Sequence, residues 1–221
     1  QAGLDFCNKL TKFYKGKLDS SYPMFILYNK SNVPDRIKNI NKYQKVFKSL
    51  LNGCSFLKKN KCKFIVIPCN TAHYWYEDLC KRISTPILSM PKEVFLQAKK
   101  ECKSGSKIGL LATEGTINTG VYDKYFQKEF IIVNPNKMIQ KENVNKSIKL
   151  VKMGKIKEAG HAIKPAINYL MKSKCKKIIL GCTELPIAIF AYKPFKNIKI
   201  SKIFLDPNLI LAKAAVIKYK L

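Results

Sequence analysis

The sequence predicts an α/β protein of two similar lobes. Each lobe holds a mainly parallel sheet flanked by helices, and a pseudo-twofold relates them. Three observations carry this. Strand-like and helical runs alternate along the 221 residues, which is the pattern of βαβ units. The strand-like runs are apolar on both faces, as strands are when helices cover both sides of a sheet. One cysteine-bearing turn is also written twice, about half a chain apart: "FIVIPCNTAHYW" around Cys69 and "KIILGCTELPI" around Cys182.

Taken in order, strands are expected at 22–29, 62–68, 107–113, 129–135, 175–180 and within 198–206. Helices are expected at about 38–59, 73–83, 91–103, 118–127, 140–151, 155–173 and 207–220. Two prolines punctuate "STPILSMPKE" at 84–93, so a boundary is placed there. The first lobe is then 1–91 and the second 92–197, with 198–221 folding back onto the first.

Composition narrows the function. The chain is long enough to bury a core, and no apolar run is long enough to span a bilayer. The 42 basic residues against 14 acidic give a formal charge of +28, which by itself suggests nucleic acid. Yet only Arg36 and Arg82 are arginines, and lysines are spread through every segment. Readers of nucleic acid use arginine forks, so a solvated lysine surface is the better reading: no nucleic acid and no membrane. The eight cysteines form no CxxC pair, which gives no zinc ribbon or thioredoxin motif. A reducing cytoplasm suits them. No metal site is expected; His73, four after Cys69, has no second ligand pair and reads as a cap or a substrate contact.

Most single cysteines are core filler, and Cys7, Cys54, Cys62, Cys80, Cys102 and Cys175 are read that way. Cys69 and Cys182 differ because each ends a strand and precedes a helix. Ligands of open α/β sheets bind beyond the carboxyl ends of strands. A helix N-terminus attracts anions and lowers a thiol's pKa. Two thiols meeting one small substrate from opposite sides suit inversion at carbon: one removes a proton while the other delivers one, and the pair titrates together. The hydroxyls and amides of "CNT" and "CTE" would stabilise the carbanion's neighbouring carboxylate.

"PCNTAH" (68–73) with "GCTELP" (181–186) resembles the aspartate/glutamate racemase superfamily. The "GCTE" form resembles its aspartate racemase branch. "VPDR" (33–36), "LLATEGT" (110–116), "VKMGK" (151–155) and "FLDP" (204–207) follow in matching order. The resemblance covers nearly the whole chain. It implies a racemase that uses no pyridoxal phosphate or other cofactor and interconverts L- and D-aspartate, glutamate or another amino acid. It implies Cys69 and Cys182 as the acid/base thiols, and Arg36 and Lys152 as holders of the substrate's carboxylates. Asn70, Thr71, Thr113, Thr116 and Thr183 are implied as donors around the α-carboxylate. Glu184 reads equally as a substrate contact or as a carboxylate capping the helix. A small anionic amino acid is the implied partner, and a homodimer the implied assembly. A strand and glycine-rich loop are implied ahead of "QAGLDFCNKLTKFY" (1–14), which resembles the helix that follows them. The alternatives are a one-thiol decarboxylase or cis–trans isomerase of the same superfamily, or a homologue impaired for want of that strand and loop.

Overall fold

The computed structural model describes residues 2–14, 22–191 and 200–220. Two wholly parallel sheets are flanked by helices, the α/β class that the sequence predicts. In chain order α1 (Ala2–Phe13) and α2 (Tyr43–Lys59) precede β1 (Ile65–Val66). A 3-10 turn (Thr71–Trp75), α3 (Tyr76–Arg82), β2 (Ile87–Leu88) and α4 (Met90–Glu101) follow. The larger sheet contains β3 (Lys107–Ala112), β4 (Ile131–Val133), β5 (Lys177–Gly181) and β6 (Phe204–Leu205), in the spatial order β4-β3-β5-β6. Its connections carry α5 (Glu114–Asn118), α6 (Asp123–Phe126), α7 (Lys137–Ile139), a π-helical turn (Gln140–Asn145), α8 (Lys146–Lys152), α9 (Ile156–Lys172), α10 (Leu185–Ala191) and α11 (Ile200–Ile203). The chain then runs into α12 (Pro207–Lys220).

Alternation along the strands builds the core. On β3 and β5, Leu111, Ile178 and Leu180 face α8, α9 and α10 with Val144, Ile163 and Leu170. Ile108, Leu110, Ala112 and Ile179 face the other way, toward Val94, Tyr122 and Phe126. This is the period-two burial of a sheet covered on both sides. The smaller sheet divides in the same way. Ile65 and Ile87 pack with Trp75 and Leu79 beneath α2, while Val66 and Leu88 lie against the cluster of α1 and α12.

Polar ties fix the ends of the helices. Ser89 caps α4, accepting from the Lys92 N–H with Pro91 in the first turn, and Thr113 caps α5. Such caps satisfy N–H groups that a helix start leaves free. Buried Asp206 accepts from the N–H groups of Asn208 and Leu209. It also pairs with Lys9 at 2.8 Å, binding α1 to the start of α12.

The structure corrects several boundaries. Residues 22–29 form no strand. Their side chains pack on helices instead: Tyr28 stacks on Phe56 of α2, and Leu27 lies against Gly3 of α1. A strand needs a ladder partner, and β1 pairs with β2 on the far side. A cavity of about 890 Å³ is lined both by residues 23–30 and by residues 60–69. The expected strand at 62–68 shrinks to two residues, and β2 (Ile87–Leu88) forms where no strand is expected. The helix expected from 38 begins at Tyr43, after turns fixed by Asp35. The expected helix at 118–127 is split into α5 and α6 by Gly120, whose φ is +61°. Of the strand expected within 198–206, only β6 is formed among the described residues, and 198–199 lie outside them.

The close approach of β3 to β5 gives a direct test. A Cβ on Gly181 would lie 2.9 Å from the Cβ of Ala112 and 3.3 Å from the Leu111 carbonyl oxygen. Both are fixed by the ladder. Gly181→Ala should therefore cost about 1–3 kcal/mol of stability, read as a lower urea midpoint at unchanged slope.

Candidate active site

The register of β3 against β5 sets the geometry of the site. Ala112 pairs with Gly181, so Thr113 and Cys182 leave neighbouring strand ends side by side. The turn carrying Cys69 meets them there. The Thr71 hydroxyl lies 3.2 Å from that of Thr113 and 2.8 Å from that of Thr116, and the last two are 3.0 Å apart. All three threonines are buried. A Cβ on Gly115 would come within 3.1 Å of Ile37 and 3.2 Å of Thr71. The "VPDR" turn, the Cys69 turn and the end of β3 therefore share one packing point.

Each expected residue has a definite place. Asn70 is buried, and its Oδ1 accepts from the Tyr122 hydroxyl at 2.6 Å. Its Nδ2 is buried with no partner among the described residues, a donor left available to an acceptor, since buried polar groups are otherwise paired. Arg36 and Cys69 both line the large cavity. The rest of its lining is mostly apolar and includes residues 23–28 and 64–68, and the three threonines are not part of it. Lys152 ends α8, where Gly154 at φ +78° turns the chain into α9. Its ammonium is 4.0 Å from Glu184, and it also acts on Asp35 and Cys182. Beside Asp35, the N–H groups of Lys38 and Ile37 with Arg36 and Lys152 outweigh burial and hold the carboxyl below its ordinary range.

The two thiols differ. Helix N-termini at both turns predict two easily ionised cysteines. Cys182 departs from this: burial, then the charge and hydrogen bond of Glu184, push its thiol well above the ordinary range. Desolvation disfavours the thiolate, and a neighbouring carboxylate disfavours it further. Cys182 Sγ donates to Glu184 Oε2 at 3.0 Å, and Thr183 donates to the same oxygen at 3.0 Å. Glu184 therefore holds Cys182, Thr183 and Lys152 together. Cys69, by contrast, is only half-buried at the cavity wall.

His73 is buried and caps the start of α4. Its Nε2 accepts from the Met90 N–H at 3.0 Å, so Nδ1 carries the proton and donates to the Cys69 carbonyl at 2.9 Å. The ring rivets the Cys69 turn to the start of α4. Sequence reasoning also missed Tyr122, which bonds Asn70, and Gln140. Gln140 Nε2 donates to the Ala112 carbonyl and to Asn145 Oδ1, while Asn145 donates to Glu114. The only local signal was a polar residue within an apolar pattern; the partners lie far along the chain. No group of three or more His, Cys, Asp or Glu able to hold a metal occurs among the described residues, and no described helix is long and apolar enough to cross a membrane.

The parallel strands of the two sheets lead into the Cys69 and Cys182 turns, and a buried cluster of threonine hydroxyls joins them, which gives an α/β fold with one candidate site at its strand ends. The chain belongs to the Asp/Glu/Hydantoin racemase family, whose model matches residues 1–215. It is 26% identical to the broad specificity amino-acid racemase RacX of Bacillus subtilis, over 98% of this chain and 89% of that protein. Among solved structures it superposes on the Picrophilus torridus aspartate racemase with a TM-score of 0.81 at 26% identity, covering 99% of this chain and 89% of the other. An aspartate racemase homologue from Pyrococcus horikoshii superposes with a TM-score of 0.79, covering 100% and 94%. At 22% identity that likeness speaks for the fold alone.

Burial lowers the pKa of His73 to about 4, against the opposing hydrogen bond to Cys69. Its neutral form is favoured in the folded state, so the stabilisation is full above the unfolded value near 6.5 and is lost as pH falls toward 4. The shift corresponds to about 3 kcal/mol. Urea titrations should show wild-type stability falling through this window, with His73→Gln losing that component of the slope.

Proposed function

We propose that the protein is a cofactor-independent racemase that interconverts L- and D-aspartate by two-base proton transfer between Cys69 and Cys182. The observation that carries this reading is the threonine cluster. Thr71 follows Cys69 by two residues, Thr113 leaves its strand beside Cys182, and their hydroxyls are 3.2 Å apart. Both thiol-bearing turns thus border one buried patch of donors. In that patch the hydroxyls of Thr71, Thr113 and Thr116 and the free Nδ2 of Asn70 would receive the substrate's α-carboxylate. Charge builds on that carboxylate as Cα loses its proton, and donors already in place stabilise it without reorganisation. Arg36 and Lys152 supply positive charge for a second carboxylate, and the planar fork of Arg36 suits a bidentate contact.

One thiolate takes the α-proton from one face, and the opposite thiol delivers its own to the other. The proton count is unchanged, and the configuration is inverted. The likeness to an aspartate racemase at 26% identity over nearly the whole chain favours aspartate; the likeness to a broad specificity racemase keeps glutamate and other amino acids in the assay. Retention of a cysteine at both strand ends favours two-base chemistry over the one-thiol reactions.

The protein is incubated in deuterated water with each enantiomer of aspartate and of glutamate. Product of inverted configuration should carry deuterium at Cα. Cys69→Ser and Cys182→Ser should each lower racemisation in both directions by at least about 100-fold, with the melting temperature little changed. Full activity in either serine variant would mean that the cysteine carries no proton, and a one-thiol reaction would replace this reading.

A further inference from the structure

A two-thiol site needs one proton shared between two sulfurs, and nothing in that requirement says which sulfur holds it at rest. The surroundings of the two cysteines are unequal. Cys182 donates to Glu184 Oε2 at 3.0 Å, and the same oxygen is fixed by the Thr183 hydroxyl at 3.0 Å. The other carboxylate oxygen faces Lys152 at 4.0 Å. The carboxylate is therefore held as an acceptor in contact with the sulfur. Cys69 lies at the cavity wall with Arg36, and no hydrogen bond from its thiol is seen among the described residues. Its carbonyl is tied to neutral His73.

Resting on the racemase reading above, we infer that Glu184 keeps the shared proton on Cys182, so that the resting enzyme presents a thiol at Cys182 and leaves Cys69 as the sulfur that accepts the substrate's α-proton. An ionised Cys182 would face the Glu184 carboxylate at hydrogen-bond distance with no proton between them, and like charges so placed repel. An S–H at Cys182 turns the same contact into a charge-assisted hydrogen bond. Glu184 is thus a positioning residue for a proton and acts through Cys182, rather than as a ligand for the substrate. The free enzyme is poised for the enantiomer whose α-proton points at Cys69. In that turnover Cys69 gains the α-proton, Cys182 gives its own to the opposite face, and the enzyme is left with a thiol at Cys69 and a thiolate at Cys182. Proton exchange with water, or a turnover in reverse, restores the resting form. Lys152 offsets part of the repulsion in the second form and keeps it reachable. The charged groups acting on this contact are Glu184 itself and Lys152 from α8; Lys152 also acts on Asp35 in the turn before α2.

The test uses the full chain with Glu184→Gln and Glu184→Asp. Iodoacetamide labelling of each cysteine is followed by peptide mass spectrometry from pH 6 upward, and the midpoint of each pH profile is read. A midpoint reports ionisation whatever the access to the sulfur. In Glu184→Gln the Cys182 midpoint should fall by about one unit or more, as expected when a neighbouring charge is removed. The Cys69 midpoint should stay in place, and Glu184→Asp should restore the Cys182 value at least in part. The alkaline limb of kcat/KM should move to lower pH with the Cys182 midpoint. The ratio of kcat/KM for the two enantiomers stays at unity, because the equilibrium constant of racemisation is one. The separate KM values should differ in the wild type and converge in Glu184→Gln. An unmoved Cys182 midpoint, or equal shifts at both cysteines, overturns the inference. A wild type that turns over no amino acid would defeat the racemase reading, and the labelling midpoints would still decide where the proton sits.

Discussion

The parallel ladder between β3 and β5 is the constraint on which the site depends. It runs through paired positions from Ile108↔Lys177 to Ala112↔Gly181, and both strands are buried on both faces. A slip of one residue would send every side chain of a strand to the opposite face. Leu111 and Leu110 would then exchange cores, and Thr113 would no longer leave its strand beside Cys182. The absence of a side chain at Gly181 lets the two backbones meet closely where the thiol emerges. Register, core and site are one specification.

Around that ladder, hydrogen bonds hold turns that have little regular structure of their own. The smaller sheet contributes two paired positions, too few to fix the Cys69 turn. His73 does so by bridging the Cys69 carbonyl to the first N–H of α4, and Asn70 is held by Tyr122 from the opposite sheet's connections. The Gln140 amide holds the last carbonyl of β3 from the π-helical turn, a local widening of the helix of a kind often found at functional sites. The catalytic residues proposed here are few. The groups that aim them are more numerous and lie on other elements.

Charge is arranged in the same economical way. The chain's excess of lysine is spread over its surface, but near the site Lys152 stands between Asp35 and Glu184. An acid and a lysine from two segments then act on a buried thiol. Net charge of +28 says little about this. Buried Cys182 responds to Glu184 and Lys152 beside it, whereas exposed charges more than a Debye length away are largely screened by salt.

The sequence by itself determined the α/β class, since apolar strand ends alternating with amphipathic helices have few other ways to bury their surface. It also singled out Cys69, Cys182 and the residues in their motifs, because chemistry at a strand end needs short, dense runs of small polar residues that survive as local patterns. It overstated residues 22–29, whose β-prone composition is real but whose strand has no ladder partner among the described residues. It could not show that Glu184 faces a sulfur, that His73 is neutral and buried, or that Tyr122 and Gln140 support the turns. Those facts arise from contacts between segments many residues apart. Tertiary structure alone decided them, because hydrogen-bond distance and burial are set by how the two sheets and their helices pack, and no local pattern encodes a distance across the fold.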